Sequence, residues 1–467
     1  MEKYYNKEID TSKYNYTLNS NNINNTTKIK NPELINLENN ALLTKSINKL
    51  PSNYNFEIYK CIMKVNSERQ QLIESKIIKL NQPISVAIQL PDGFAHLSLI
   101  LCDILQTFCD NAEVTILGDI TYGACCIDDL GCKQLGIDLM LHYGHSCLVP
   151  ITESVIKIMY IFVDILIDIE KCVEIIYHNF KTIDRQNSNN CSNISNIIVN
   201  KENNVKLNNQ KDSDIIVKHN IDNKIYLMGS IQYNNSLFLV RKALINKGFK
   251  NIVIPQAKPR SSGEVLGCTS PVVPGSSGIL IFVCDGRFHM ESVMISNPGL
   301  TFYQFNPFLN ELTLEQYDFI GMLKTRKNLI NKCYNLIYNK KATNKKIGIV
   351  FGTLGRQGNE GILNRIIDTL NLKNIKYEII LLSEITEEKL LLFSKCTFFI
   401  QIACPRLSID WGIHFSKPVM TPYEFYVIFE EVELKDKYPM DYYSYDGGKW
   451  SNYYNIIYKA KKVVNTK

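Results

Sequence analysis

Three of the fourteen cysteines lie in loops of small residues, where a sulfur stays open to a metal group. The first loop reads Gly118-Asp-Ile-Thr-Tyr-Gly-Ala-Cys125-Cys126-Ile-Asp-Asp129 and the second Glu264-Val-Leu-Gly-Cys268-Thr-Ser-Pro271. The third reads Ile402-Ala-Cys404-Pro-Arg-Leu-Ser-Ile-Asp410. Small neighbours let a bulky inorganic cluster approach the backbone, and thiolates are the ligands that iron–sulfur clusters need. More than a hundred positions separate each from the next, and no C-x-x-C pair occurs, so a zinc finger or ribbon is excluded. Three thiolates on a four-iron cluster leave one iron open to a substrate, as a catalytic zinc keeps an open position. Spacing alone leaves the alternative that these are buried core thiols. Cys126, next to Cys125, is an equal candidate at that corner. Cys61, Cys102, Cys109, Cys172, Cys333 and Cys396 sit in apolar patterns, and Cys132, Cys147, Cys191 and Cys284 lack counterparts elsewhere in the chain.

A second group is Gly352-Thr-Leu-Gly355-Arg356-Gln357-Gly358-Asn359, between a strand pattern and a helix pattern. Backbone N–H groups at a helix start suit a carboxylate, so Gly352, Gly355, Arg356 and Gln357 are candidate cofactor contacts. Arg406 and Asp410 either pair or face that cofactor. Asp128 and Asp129 read as helix caps. His142, His145 and His289 read as satisfying backbone groups rather than ligating a metal.

These loops need elements to position them. Strand patterns at Ser85–Leu90, Val114–Leu117, Ile225–Met228, Ile252–Ile254, Ile347–Phe351 and Tyr377–Leu382 alternate with helices of about ten residues, which indicates βαβ units with parallel sheets. Ligands in such sheets bind beyond the carboxyl ends of the strands. The expected fold class is therefore α/β, with three βαβ, Rossmann-like pieces. The expected divisions are a disordered extension over 1–54, α/β pieces over 55–184, 224–337 and 338–467, and an Asn-rich insertion over 185–223. The extension and the insertion are too polar to offset their ordering entropy.

Across 467 residues the apolar fraction is 45%, the charged fraction 21% and the net charge +6. That composition suits globular domains and gives no compact basic patch for nucleic acid. No stretch is apolar enough to span a bilayer, and the N-terminus lacks a signal-peptide core. A cytoplasmic chain without disulfides is expected.

The chain resembles the diphthamide synthase family, also called 2-(3-amino-3-carboxypropyl)histidine synthase, in its subunit-1 form. The strings that carry the resemblance are GDITYGACCIDD (118–129), HYGHSCLVP (142–150), GEVLGCTSP (263–271), DGRFHMESVMISNP (285–298), GTLGRQGN (352–359), IACPRLSIDWG (402–412) and TPYE (421–424). The family pattern Lys-Pro-Leu-Ser-Pro-Gly-Glu is replaced by Lys258-Pro-Arg-Ser-Ser-Gly-Glu264, which loosens the turn before Cys268 without removing the thiol. The resemblance implies three homologous domains around a pseudo-threefold centre, with Cys125, Cys268 and Cys404 holding one [4Fe–4S] cluster. It further implies a transferase that cleaves S-adenosylmethionine by atypical radical chemistry and modifies a histidine of translation elongation factor 2. The implied partners are subunit 2 in a heterodimer and a small iron-binding protein as electron donor. Rival readings are a scaffold or electron-relay subunit of the same heterodimer, a quinolinate synthase, which the quoted strings do not match, and a nucleic-acid-binding module.

Overall fold

The computed structural model describes residues 31–119, 121–145, 148–181, 224–258, 260–275, 277–338, 346–444 and 447–454. Residues 1–30 and the expected insertion at 185–223 lie outside them.

The described chain begins with two short helices, α1 (Pro32–Glu38) and α2 (Ala41–Ile47). This differs from the disorder expected through residue 54. The Asn31 side chain accepts from the Glu33 amide, and Asn40 accepts from the Leu42 and Leu43 amides. The asparagines that read as disorder act here as helix caps. Leu43 is fully buried and Leu50 nearly so, both in the core of the first sheet. Leu43→Ala is therefore expected to cost about 2–5 kcal/mol, read as a lower denaturant midpoint with an unchanged slope.

β1 (Tyr54–Asn55) and α3 (Ile58–Glu74) lead into the first sheet. That sheet contains β2 (Ile84–Gln89), α4 (Ser98–Phe108), β3 (Ala112–Leu117), α5 (Asp129–Gln134), β4 (Leu139–Tyr143) and β5 (Lys157–Ile161). β6 (Asp164–Ile165) pairs antiparallel with β1, and α6 (Ile169–Lys181) follows. The second sheet contains β7 (Ile225–Gly229), α7 (Asn234–Asn246), β8 (Ile252–Val253), β9 (Ile279–Val283), α8 (Phe288–Ser296), β10 (Thr301–Asn306) and β11 (Glu311–Glu315). Helix α9 (Phe319–Tyr338) then enters the third sheet, formed by β12 (Lys346–Gly352), α10 (Glu360–Leu372), β13 (Lys376–Leu382), α11 (Glu387–Leu391), β14 (Phe398–Ile402), α12 (Pro405–Trp411), β15 (Val419–Met420) and α13 (Pro422–Ile428).

The strand orders are β3-β2-β4-β5, β8-β7-β9-β10-β11 and β13-β12-β14-β15. Each sheet thus runs second, first, third, fourth in its own chain order, and these strands pair in parallel throughout. Only β11 adds an antiparallel edge. β4, β7, β9 and β14 are buried along their whole length, as strands covered on both faces must be.

Candidate cluster site at the strand ends

The three cysteine loops all leave carboxyl ends of parallel strands. Cys125 follows β3 and Cys268 follows β8, each the second strand of its sheet; Cys404 follows β14, the third strand of its own. The positional counterpart of Cys404 is thus Cys284, directly after β9, contrary to the sequence expectation that Cys284 had none. Its thiol is buried and donates to the Gly286 carbonyl at 2.8 Å.

The fold brings Cys125, Cys268 and Cys404 within electrostatic reach of one another, each half-buried. A hydrogen bond with Cys126, burial, and the charges of Cys126, Cys404 and Cys268 hold the Cys125 thiol well above its ordinary value. Burial, Asp441 and Cys404 push Cys268 up to about 12. Burial also raises Cys404. Among the described residues no three His, Cys, Asp or Glu side chains converge closely enough to hold a single ion.

Buried glutamines hold the loops. The Gln89 amide donates to the Cys126 carbonyl at 2.9 Å, and the Gln401 amide to the Cys404 carbonyl at 2.9 Å. Cys126 itself is buried, and its sulfur accepts from the Gln357 amide at 3.3 Å.

The Gly352–Gln357 turn lies on the first cysteine loop. The Arg356 amide donates to the Cys125 carbonyl at 2.8 Å. Gly355 has φ +54, and a Cβ there would lie 2.4 Å from the Cys126 carbonyl carbon, so only glycine permits this approach. A Cβ on Gly352 would lie 2.7 Å from that of Ala403, beside Cys404. The Arg356 guanidinium forks onto buried Asp129 at 2.7 and 2.6 Å. The side chains of Arg356 and Gln357, expected to face a cofactor, thus both engage protein. Thr353, Leu354 and Gly355 of the turn, with Gln89, Tyr122, Cys126 and the acidic Asp119, Asp128 and Glu384, line a cavity of about 180 Å³.

Arg406 pairs with Asp410 at 2.8 Å and with Glu291 at 2.7 Å, and it donates to the Gly267 and Phe288 carbonyls. Only 2% of its side chain is exposed. It ties the helix after Cys404 to the backbone before Cys268. Asp128 caps α5 through the Gly131 amide, as expected; Asp129 instead serves Arg356 and the Val155 amide.

Sequence reasoning missed the segment after α13. The Tyr443 hydroxyl donates to the Arg356 carbonyl at 3.3 Å, and its ring lies near Cys125 and Cys268. Asp441 sits by Cys268, with Arg260 at 3.9 Å. No motif marked these residues.

The histidines differ from expectation too. His142 Nδ1 contacts Gln89 Oε1 at 2.8 Å, while His142 Nε2 and His145 Nδ1 have no partner among the described residues. Burial pushes His142 and His289 down to about 4, and His145 lies well below its ordinary value, through burial and then its histidine neighbours. Because the unfolded chain takes up protons first, this stability is complete above about pH 6.5 and falls as pH drops toward the folded values. The expected slope is about 1.4 kcal/mol per pH unit for each such histidine. Denaturant titrations between pH 7 and pH 4 should show it, and His142→Gln should make it shallower.

The family model for diphthamide synthesis proteins matches residues 90–195 and 186–439. The 2-(3-amino-3-carboxypropyl)histidine synthase subunit 1 of Dictyostelium discoideum is 40% identical, over 89% of this chain and 76% of that protein. The subunit 1 of Schizosaccharomyces pombe is 38% identical, over 88% of this chain and 82% of its own length. Among solved structures, Dph2 from Pyrococcus horikoshii with a 4Fe–4S cluster aligns with a TM-score of 0.56. It is 22% identical and the match covers 80% of this chain and 92% of that one, a likeness of fold.

Proposed function

The chain belongs to the diphthamide synthesis protein family, and from that premise we propose that it transfers the 3-amino-3-carboxypropyl group of S-adenosylmethionine to a histidine of translation elongation factor 2. Cys125, Cys268 and Cys404 would hold a [4Fe–4S] cluster. The observation that carries this is the thiol triad itself. The Cys125 thiol is held high by its hydrogen bond with Cys126 and by burial, and Cys268 and Cys404 by burial, so all three are poor thiolates until a cationic group sits among them. The shared second-first-third-fourth strand order supports three related units.

When bound, the cluster would supply the electron that breaks the bond between the sulfonium and the methionine γ-carbon. The protein's part is to position and enclose. Arg406 and Arg356 lock the loops, Gln89 and Gln401 fix the cysteine carbonyls, and Thr353, Leu354 and Gly355 border a cavity that part of S-adenosylmethionine would enter. Enclosure matters because a radical reacts with whatever lies nearest.

The name of the relatives, subunit 1, supports a partner subunit; the proposal takes it as subunit 2 of a heterodimer, with a small iron-binding protein as electron donor and a cytoplasmic setting. Among the described residues no helix is long and apolar enough to cross a membrane. The test is product analysis of the reduced heterodimer under anaerobic conditions. We expect 5′-methylthioadenosine, with labelled carboxypropyl on a histidine of the elongation factor. Release of 5′-deoxyadenosine as the main product would overturn the mechanism; no product with reductant and partner present would leave a scaffold or electron-relay subunit.

A further inference from the structure

The two buried glutamines that hold cysteine carbonyls are not themselves held alike. Gln89, the last residue of β2, and His142 of β4 are in-register partners in the parallel ladder, so their side chains share one face of the first sheet. Ala87 and Met140, two positions earlier on that face, pack in one cluster with Ile127 and Cys132, which follow the cysteine pair. The row ends on Tyr160 of β5, whose ring meets the imidazole at 5.5 Å between centroids. A carbonyl oxygen can only accept, so the Cys126 carbonyl at 2.9 Å fixes the NH2 end of the Gln89 amide. Oε1 therefore turns to His142 Nδ1 at 2.8 Å, and that nitrogen must carry the proton. His142 Nε2 is then a bare lone pair, which fits its lack of a partner among the described residues. At Gln401 the amide nitrogen serves the Cys404 carbonyl and the Ser408 hydroxyl, but Oε1 has no donor among the described residues. Of the two glutamines, only Gln89 lines the cavity, beside Cys126.

We propose that His142 is a positioning residue for the Cys125–Cys126 loop and the cavity beside it. By donating to Oε1 it keeps the Gln89 amide on the Cys126 carbonyl and out of the cavity. That S-adenosylmethionine would occupy this space rests on the function proposed above. Gln89 and His142 are both fully buried or nearly so, and a buried acceptor without a donor is costly. Without the imidazole, the amide should swing toward the cavity, the nearest space that admits water, freeing the Cys126 carbonyl and narrowing the space. The other side of the loop is held from the third sheet, by the Arg356 amide on the Cys125 carbonyl and by Gln357 on the Cys126 sulfur. Loss of His142 should therefore loosen one side of the loop and leave the rest of the fold in place.

The test compares His142→Leu, His142→Asn and His142→Gln. The Asn amide nitrogen lies as many bonds from Cβ as Nδ1 does and can donate in its place, whereas the Gln amide nitrogen lies one bond further out. In the unloaded full chain, iodoacetamide should alkylate Cys126 several-fold faster in the Leu and Gln variants than in wild type or His142→Asn, read by tandem mass spectrometry. Cys172, sealed in the core of the second sheet, should not quicken. In the anaerobically loaded heterodimer, iron content should hold in every variant. KM for S-adenosylmethionine should rise about tenfold in the Leu and Gln variants, more than kcat falls, with His142→Asn near wild type. Unchanged Cys126 alkylation in His142→Leu, or an equal quickening at Cys172, overturns the inference. Faster Cys126 alkylation with an unmoved KM overturns it too. Should His142→Leu fail to fold, the Asn and Gln variants decide, and equal behaviour of those two overturns the inference. A wild-type heterodimer that loads no cluster or binds no S-adenosylmethionine overturns the proposed function instead, and the alkylation rates then decide the inference alone.

Discussion

Cys125→Ala, Cys268→Ala and Cys404→Ala should each strip iron and acid-labile sulfide from the anaerobically reconstituted chain, whereas Cys172→Ala and Cys284→Ala should leave both unchanged. The difference follows from placement rather than residue type. The first three thiols are half-buried and lie within electrostatic reach of one another, in loops that leave three different sheets. Cys172 is sealed in the core of the second sheet, and Cys284 spends its proton on the Gly286 carbonyl. A group held from three corners has no redundancy, so loss of any one thiolate should release it. Cys126→Ala is the sharper control. Its sulfur is buried and already accepts from Gln357, so iron content should survive its removal. Greater iron loss in Cys126→Ala than in Cys125→Ala would move the ligand to the neighbouring thiol. Ultraviolet–visible absorption and metal analysis on the same samples read every arm of the comparison.

The strands and the cysteine loops could be read from the sequence because their signals are local. Apolar runs such as Ile225–Gly229 fill strands covered on both faces, and the loops beyond strand ends follow from the parallel arrangement. What escaped was everything set by distant pairing. Arg356 meets Asp129 across 227 positions, and nothing near either residue announces the other. A glycine-rich turn before a helix looks the same whether it cradles a carboxylate or another loop; here the contacts at Gly355 and Arg356 are with the Cys125–Cys126 backbone. The helices over 32–47 were missed for a related reason. Asparagine marks both disordered chain and helix N-caps, and only the burial of Leu43 and Leu50 separates the two. Tyr443 reached the thiol centre with no motif to flag it, because its place depends on how the chain returns after α13.

Arg326→Met should destabilise the protein by about 3–5 kcal/mol, a large share of the stability of a typical domain. Arg326 projects from α9 with 1% of its side chain exposed, onto Glu424, which is fully buried. Its Nε and one terminal nitrogen reach the two carboxylate oxygens at 2.6 Å each. The other donors serve the Ser408 carbonyl at 2.7 Å and the Val419 carbonyl at 3.1 Å. Glu424 in turn accepts from the Thr421 amide and the Tyr438 hydroxyl at 2.9 Å each. Desolvation disfavours the guanidinium charge, yet the Glu424 carboxylate more than offsets it, and the net effect is a pKa above the ordinary arginine value. Removing Arg326 strands a carboxylate in the core and leaves two carbonyls without their donor. Removing both charges, in Arg326→Met with Glu424→Met, should cost less than the two single losses together, because no lone charge is left behind. Denaturant unfolding of the two single variants and the double variant measures this directly, and strict additivity would show that the pair is not coupled. The Ser408 contact carries the effect to the site. Ser408 lies one turn beyond Cys404 on α12, so hydrogen exchange in α12 should quicken in Arg326→Met, even where enough native protein survives to be measured.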